Sequence, residues 1–322
     1  MGPYIIRRLL QAIPLLFVIS FVLYYVVFSL GDPTARLVAN NPRTTPQDIE
    51  RIRKMYGLDR PIHLRYFVWA GNVVTGDWGQ SVVTRQDVIP ILRSRVGNTL
   101  ILMSAGFLLT MLIAIPIGLI SALRQYSRFD YFFTGLSFIF FSLPVFFLGF
   151  ALIYIFSLKF YQWGLPALPA TGMYDLRGDR TPLQLARHLI LPALTLALIQ
   201  SALYIRYLRS SILEVLGQDY TRTARSKGLT EAIVVRRHVL KNAALPLVTL
   251  VLLQIASLFS GAVVTESIFS WPGMGSLFID SARSVDYPVL MGILVIASSL
   301  VILFNLIADI TYAYLDPRIK YS

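Results

Sequence analysis

The chain has 322 residues, of which 56% are hydrophobic and only 14% are charged. In soluble domains about a quarter of all residues are normally charged, so this composition excludes an ordinary water-soluble fold. The formal net charge is +12, and the absence of cysteine excludes disulfides, thiolate metal sites and a cysteine nucleophile. We therefore expect an all-α polytopic membrane protein whose basic residues lie at the membrane boundaries.

Six apolar runs are long enough to cross a bilayer core, which needs roughly 20 residues per helix. They cover about residues 9–30, 99–123, 132–160, 189–208, 243–265 and 289–314. The first run follows Arg7 and Arg8 and ends without a small-x-small cleavage site, so it predicts an uncleaved anchor rather than a signal peptide. Pro144 breaks the third run.

The polar stretch after the first run is too long for a turn. We expect an N-terminal transmembrane helix at 1–30 and a small extracytoplasmic segment at 31–95, which contains a short helix from Pro46 to Tyr56. Residues 96–315 then form the membrane core, with a cytoplasmic coupling segment at 209–242, and residues 316–322 form a cytoplasmic tail.

The charges of the connections predict the orientation. The loop between the fourth and fifth runs is strongly basic, whereas the loop between the fifth and sixth carries Glu266, Asp280 and Asp286 against Arg283. This asymmetry places both termini in the cytoplasm. Because the basic residues lie between apolar runs and no nucleic-acid motif is present, we expect membrane contacts and no nucleic-acid partner.

The basic inner loop has the pattern of two short helices. Asp219 suits the N-cap of the first, Gly228 can supply the left-handed residue that ends it, and Thr230 and Glu231 suit the start of the second. Such a hook could dock on another protein and pass a movement to the membrane helices. The alternative is an ordinary charged loop that meets lipid headgroups.

Several motifs carry a resemblance to a known family. The loop contains Thr221–Leu229, followed by His238–Ala243 and Leu245–Pro246. Further motifs lie at residues 7–14, 56–61, 76–81, 266–275 and 316–318. Together they resemble the B-type permeases of the oligopeptide/dipeptide/nickel group of ABC importers, over nearly the whole chain. The chain departs from the wider superfamily at Arg222 and Thr223, which stand where that superfamily has Glu-Ala.

The resemblance implies a type I ABC importer (MetI-like) permease fold in a prokaryotic cell membrane. It implies a heterodimer with a C-type permease subunit, two cytoplasmic ABC ATPase subunits and an extracytoplasmic substrate-binding protein. The substrates would be di- or oligopeptides or, alternatively, nickel complexes, glutathione or oligosaccharides. The residues that would couple to the ATPases are Asp219, Arg222, Thr223, Ala224, Arg225, Lys227, Gly228 and Glu231.

Other polar and turn-forming residues are candidates for the pathway or its gate. Gln200, Gln254 and Asn305 are neutral polar residues within spans, where they either bond to other helices or line a path. Glu266 lies near the outer end of the fifth span, where we expect solvation and a structural or gating role. Pro272, Gly273 and Gly275 predict a tight turn in a short re-entrant hairpin, and by resemblance this turn lies near the outer gate.

Three other kinds of function find little support. The chain has no Gly-x-x-x-x-Gly-Lys-Ser/Thr loop, so ATP and Mg²⁺ would be bound by partner subunits and no cofactor by this chain. His63, His188 and His238 lie in three separate segments, which disfavours a metal site. A membrane-embedded enzyme would need convergent catalytic residues within the spans, and an ion-coupled transporter would need a carboxylate at mid-depth.

Overall fold

The computed structural model describes residues 2–29, 45, 47, 50, 60–175 and 179–315. Inside the helices it describes the backbone alone at 2–5, 9, 245, 246, 249, 252–261, 308, 309 and 312–315. The described residues are almost entirely helical. The helices are α1 (Gly2–Ser29), α2 (Ile62–Thr75), α3 (Val88–Leu123), α4 (Arg128–Ser142), α5 (Val145–Ile153), α6 (Phe160–Gln162), α7 (Pro182–Leu216), α8 (Asp219–Ser226), α9 (Glu231–Val234), α10 (Leu240–Ile268), α11 (Met274–Ser284) and α12 (Tyr287–Leu315). Two π-helical turns, Tyr154–Lys159 and Val235–Val239, continue α5 and α9.

Among the described residues, five helical stretches are long and apolar enough to cross a membrane. They are Ile6–Ser29, Val88–Leu123, Val145–Gln162, Pro182–Leu216 and Tyr287–Ile307. The predicted fifth span lies in α10, a continuous helix of 29 residues. The all-α polytopic fold is therefore confirmed.

The helix bounds correct several details of the sequence-based prediction. The second span begins at Val88 rather than about Thr99, and the fourth runs from Pro182 to Leu216, beyond both predicted ends. Charged residues such as Arg93 and Arg95 continue the helix because arginine is a good helix former, so the apolar run understates its length.

Two predicted segments lie largely or wholly outside the described residues. Of the predicted helix Pro46–Tyr56, the structure describes only the single positions 47 and 50, and both are helical. The tail at residues 316–322 is not among the described residues. Both segments therefore stay predictions from the sequence.

The third span is interrupted as expected. Helix α4 ends at Ser142, Leu143 is extended (φ −79°, ψ 132°), and Pro144 precedes α5. Proline disfavours helical backbone in the residue before it, which explains this break. The later π-helical turn at Tyr154–Lys159 was not predicted.

The chain divides into two compact units. Of the described residues, the first unit comprises those up to 98 and 273–306, and the second comprises those of 99–272 and 307–315. In the first unit, Tyr66 of α2 is almost fully buried beside Tyr24 of α1 and Tyr287 of α12. The Tyr66 hydroxyl lies 2.8 Å from Ser20 Oγ, which satisfies this buried polar group.

A carboxylate fixes the loop before α3 within the first unit. The side chain of Asp286 is buried; one of its oxygens accepts a hydrogen bond from Ser81 Oγ and the other accepts from the Val82 N–H at 3.1 Å. Helix α12 also approaches α3 closely, since a Cβ on Gly292 would lie 2.7 Å from Leu92 Cδ1. A larger residue there would require the side chains of Leu92 and Val88 to shift.

The core of the second unit forms where α3 and α7 pack closely. A Cβ on Gly106 would lie 3.1 Å from Leu196 Cβ, and one on Gly118 would lie 3.2 Å from Ile205 O and Leu208 Cβ. Small residues of this kind allow membrane helices to approach each other. The same unit contains a buried cluster formed by Ala114, Ala122, Tyr204, Ile205, Leu208, Ile212, Ala224, Val234, Val239, Ala243 and Leu247.

Candidate functional site

The segment between α7 and α10 (residues 217–239) forms the predicted hook, which is the central part of the coupling segment expected at 209–242. Helix α8 begins at Asp219, and Gln218 rather than Asp219 occupies its N-cap. The N-cap assignment of Asp219 was therefore wrong by one residue. Its side chain is 98% exposed in the first turn of α8, where a negative charge still interacts favourably with the helix dipole.

Helix α8 is attached through one buried face. Thr221 and Ala224, three residues apart, are buried, and Thr221 Oγ1 donates to Val215 O at 2.9 Å. Ala224 was expected in the coupling site, whereas Thr221 was missed. The signal in the sequence was the pair of small residues at helical spacing within a charged run.

The opposite face of α8 is exposed and basic. Arg222, Thr223, Arg225 and Lys227 are all exposed, and Arg222 Nη1 lies 3.9 Å from Asp219 Oδ1. This contact is long and solvated, so it contributes little to stability. The guanidinium and ammonium groups of this face are therefore accessible to a partner.

A left-handed glycine ends α8 as expected. Gly228 has φ +79°, and its N–H donates to Arg225 O at 2.9 Å. A Cβ at this position would meet no atom within 4 Å, so the requirement for glycine comes from backbone conformation rather than space.

An ion pair closes the turn around Gly228. Arg225 Nη2 donates to Glu231 Oε1 at 2.7 Å, and Arg225 Nε donates to Glu231 Oε2 at 3.1 Å. These bidentate bonds hold the pKa of the Glu231 carboxyl below its ordinary value. Both residues were predicted individually for the coupling site, but their pairing was not predicted from the sequence.

The coupling segment then runs into the fifth span without interruption. Helix α9 begins at Glu231 after the N-cap Thr230, as predicted, and continues through the π-helical turn into α10. Val234, Val239 and Ala243 are fully buried in the cluster that also contains Ile212 and Ala224. Helix α8 is thus packed in the same core as the ends of α7 and α10, so a displacement of α8 would act on both.

A buried ion pair joins the start of α4 to α7. Arg209 Nε and Nη2 each donate to a carboxylate oxygen of Asp130 at 2.7 Å. Asp130 also accepts from the Tyr126 N–H at 3.0 Å, and its side chain is only 3% exposed. The hydrogen bonds from Arg209 hold the pKa of the Asp130 carboxyl below its ordinary value, despite the opposing effect of burial.

The sequence interpretation missed Asp130 altogether. It follows Arg124 and Arg128, and an acidic residue in an otherwise basic inner connection was the available signal. Nearby, the Arg206 guanidinium carbon lies 5.1 Å from the Phe138 ring and 4.5 Å from the Phe141 ring. Together these contacts fix the C-terminal half of α7 to α4.

The gate candidates of the second unit occupy different environments. Glu266 is fully buried, not solvated as expected, and its Oε1 accepts from Thr99 Oγ1 at 2.6 Å. Trp271 is also fully buried, and its N–H donates to Glu266 O at 2.8 Å. Gln200 is half-buried in α7, and its Oε1 has no hydrogen-bond partner among the residues that the structure describes. The side chain of Gln254 lies outside the described residues.

Pro272 is the last residue of this stretch of the second unit, and the remaining gate candidates belong to the first unit. Gly273 is the N-cap of α11, where its N–H donates to Ser276 Oγ at 3.1 Å, and Gly275 is buried in the first turn. The sequence 272–275 therefore leads into an 11-residue helix, where a tight turn in a short re-entrant hairpin was predicted. Asn305 is an exposed residue of α12.

The three histidines remain separate. His188 is buried near the start of α7, with its Nε2 3.2 Å from Asp175 Oδ1 and its Nδ1 3.1 Å from Thr171 O. His63 and His238 lie in α2 and in the second π-helical turn. Within the part of the chain that the structure describes, no three His, Asp or Glu residues come together as metal ligands.

The chain combines membrane-spanning helices with a basic hook. One face of the hook is exposed and the other packs against α7 and α10. This combination is what a permease, a membrane protein moved by a partner, requires. The chain belongs to the family of binding-protein-dependent transport system inner membrane components, whose model matches residues 114–321. The N-terminal model of this family matches residues 1–103. The chain is therefore a permease component of an ABC importer.

Relatives match along their whole length. The oligopeptide transport system permease protein AppB of Bacillus subtilis (strain 168) is 43% identical over 323 residues, covering 100% of both chains. A putative peptide permease protein of Brucella suis is 40% identical, covering 98% of both chains. The glutathione transport system permease protein GsiC of Escherichia coli (strain K12) is 37% identical, covering 99% of both chains.

Solved structures share the fold. The inward-facing MetNI methionine ABC transporter matches with a TM-score of 0.56 at 18% identity, covering 71% of this chain and 97% of that chain. An amino acid ABC transporter with histidines matches with a TM-score of 0.53 at 15% identity, covering 70% of this chain and 94% of that chain. These likenesses confirm the MetI-like permease fold.

Proposed function

We propose that this chain forms half of the translocation pathway of an ATP-driven importer of di- and oligopeptides. The observation that carries the substrate class is the full-length match to an oligopeptide permease at 43% identity. The match to a glutathione permease at 37% identity favours glutathione, itself a tripeptide, as the second candidate. Nickel complexes and oligosaccharides are the remaining alternatives.

The proposed assembly contains this chain, a C-type permease, two cytoplasmic ABC ATPases and an extracytoplasmic binding protein. The sequence lacks a phosphate-binding Gly-x-x-x-x-Gly-Lys-Ser/Thr loop, which supports binding of ATP and Mg²⁺ by the ATPase subunits. In this assembly the chain contributes no catalytic residue, and both of its termini lie on the cytoplasmic side of a prokaryotic cell membrane. The excess of Arg and Lys in the loop between α7 and α10 supports that orientation.

The coupling segment would dock on an ATPase through its exposed face. Arg222, Arg225 and Lys227 supply positive charge for acidic groups of the ATPase, and the Arg225–Glu231 pair keeps the turn closed. Thr221 and Ala224 hold α8 against the membrane helices. Closure of the ATPases would then push α8, and the shared core would pass that push to α7 and α10.

Polar and turn residues on the opposite side of the membrane would control access to the pathway. The position of Glu266 supports such a role. Burial of a carboxylate is costly unless hydrogen bonds compensate its lost hydration, and the bond from Thr99 to Glu266 supplies part of that compensation. A change in this contact would therefore change the stability of the gate region. We assign the lining or gating of the pathway to Gln200, Gln254, Glu266, Pro272, Gly273, Gly275 and Asn305.

A pair of substitutions at Gly228 tests the coupling assignment. Gly228→Pro cannot adopt φ +79°, because the proline ring fixes φ near −65°. Gly228→Asn is the matched control, since asparagine tolerates the left-handed region. We expect the proline variant to reach the membrane but to hydrolyse ATP without peptide uptake, while the asparagine variant retains coupled uptake. Normal uptake by the proline variant would refute the assignment.

Gentle detergent purification of the N-terminally tagged chain from native membranes tests the assembly. We expect mass spectrometry to identify a second permease and two ATPase subunits in the purified complex. Uptake of labelled trialanine, with glutathione as competitor, distinguishes the two leading substrates. Recovery of this chain alone, still transporting without ATP, would overturn the proposal.

A further inference from the structure

A cavity of about 580 Å³ lies within the first unit. Its wall is formed by the end of α1, by α2, by the loop between α2 and α3, and by the start of α12. Cavities of roughly 300–1,000 Å³ are typical of small-ligand sites. None of the residues discussed above as coupling or gate candidates lines it.

The wall carries opposite charges that do not pair with one another. The guanidinium groups of Arg60, Arg65 and Arg85 and the carboxylates of Asp77 and Asp87 all line the cavity. Among the described residues, no ion pair joins any of these five. Guanidinium and carboxylate groups that lie close together form ion pairs. Because these five groups do not, the guanidinium groups can bind an anion and the carboxylates can bind a cation.

Each carboxylate is oriented by a neutral donor. Asp77 Oδ1 accepts from the Gly79 N–H at 2.9 Å, and Asp87 Oδ1 accepts from Gln80 Nε2 at 3.1 Å. These bonds fix the two side chains without cancelling their charge. Each carboxylate keeps a second oxygen for a cationic group.

Arg65 is held in place with an unmet donor. Its guanidinium carbon lies 4.9 Å from the Phe28 ring, and its Nε is buried, with no hydrogen-bond partner among the described residues. The two terminal nitrogens of a guanidinium carry the other N–H donors, and a carboxylate can accept from both of them. Arg65 is therefore positioned to bind an anionic group.

Aromatic side chains form the rest of the wall. Tyr24, Trp69, Trp78 and Tyr287 line the cavity, and Asn72 adds an amide. Flat aromatic surfaces accept side chains of varied shape, because their contacts are apolar and weakly directional. A site with charges of both signs and permissive walls recognises the ends of a ligand rather than its middle.

We propose that this cavity binds a short zwitterionic peptide. The peptide carboxylate bonds to Arg65 with Arg60 or Arg85, and its ammonium group bonds to Asp77 or Asp87. The choice of a peptide rests on the proposed function, while the requirement for both charges rests on the cavity itself.

The test uses the transporter complex in lipid nanodiscs, without its binding protein, and three probes. Trialanine carries both end charges, trialanine amide lacks the carboxylate, and N-acetyl-trialanine lacks the ammonium. Binding is followed by calorimetry and by tryptophan fluorescence, because Trp69 and Trp78 line the cavity. Loss of a charge-assisted hydrogen bond weakens binding about 10-fold or more, so both capped peptides should bind at least that much more weakly than trialanine.

Variants assign the two ends. Arg65→Gln should abolish the discrimination between trialanine and its amide, and the double variant Asp77→Asn with Asp87→Asn should abolish the discrimination between trialanine and the N-acetyl form. Arg93→Gln, at an exposed position of α3 outside the cavity, should leave both discriminations intact. A variant that only disturbs folding would weaken all three probes together.

Several outcomes would overturn the inference. They are the absence of saturable trialanine binding, equal binding of all three peptides, and discrimination that survives both Arg65→Gln and the double variant of Asp77 and Asp87. Equal affinity for trialanine and its N-acetyl form would reduce the cavity to a simple anion site. Cellular uptake of trialanine tests the proposed function separately, so uptake that depends on this chain with no binding at the cavity would contradict the inference alone.

Discussion

Neutralising Asp130 should destabilise the attachment of α4 to α7. Asp130→Asn preserves the size of the side chain but removes the charge that receives two 2.7 Å bonds from Arg209. Removing one partner of a buried ion pair costs about 3–5 kcal/mol, because the other charge is left desolvated. The Arg209 side chain is 23% exposed and keeps part of its hydration, so we expect about 2–3 kcal/mol.

Thermal unfolding of the complex in nanodiscs, followed by tryptophan emission, measures this cost. A loss of that size corresponds to a Tm that is lower by about 3–4 °C for a chain of this length. Asp219→Asn is the control, since its side chain is 98% exposed and the same substitution should change the stability by about 0.5 kcal/mol or less. Equal Tm values for the two variants would refute the reasoning.

A compensating double variant separates charge from packing. Replacing both partners, as Asp130→Leu with Arg209→Met, leaves no buried charge unpaired and should recover much of the lost stability. If the double variant unfolds at the same temperature as Asp130→Asn, then an unpaired charge is not the cause of the loss.

The pH dependence follows from the lowered pKa of the Asp130 carboxyl. A group whose pKa is lower in the folded state stabilises above its unfolded pKa and loses that contribution as the pH falls through its folded pKa. The difference in Tm between the wild type and Asp130→Asn should therefore stay constant between about pH 5 and 8 and shrink only in stronger acid.

Further variants test the helix packing and the coupling turn. Gly118→Ala should lower the Tm, because its Cβ would lie 3.2 Å from Leu208 Cβ, whereas Gly97→Ala, with nothing within 4 Å, should raise the stability by up to about 1 kcal/mol through helix propensity. Both effects are measured by the same unfolding assay, and a change of the same sign in both would contradict the close approach at Gly118. Glu231→Gln should cost less than about 1 kcal/mol in stability, because its pair with Arg225 is exposed, but should lower the number of peptides imported per ATP hydrolysed. An unchanged ratio of uptake to hydrolysis would show that the pair does not hold the turn for coupling.

The apolar runs predicted the helices well because a bilayer imposes a length and composition that are visible in the residues themselves. The helix ends were less predictable. Val88 and Pro182 begin their helices among polar residues, whose place in the helix depends on contacts outside the membrane. Local signals sufficed where one residue decides the backbone, as with Gly228 and Pro144.

Pairings between distant residues could not be read from the sequence. Asp130 and Arg209 are separated by 79 positions, and their contact depends on how α4 packs against α7. Glu266 was expected to be solvated near the interface, yet its burial depends on Thr99 of another helix. The residues of the cavity in the first unit come from four separate segments, and their convergence depends on how those segments pack.

In the second unit the backbone is helical without interruption from Glu231 to Ile268. At 1.5 Å per residue it extends roughly 57 Å, almost twice the thickness of the hydrocarbon core. The π-helical turn at Val235–Val239 sets the rotation of α9 relative to α10. Inserting or deleting a single residue in this turn would rotate one end of the continuous helix by about 100° relative to the other. The angle at which the basic face of α8 meets its partner is thus set by residue count as much as by residue type.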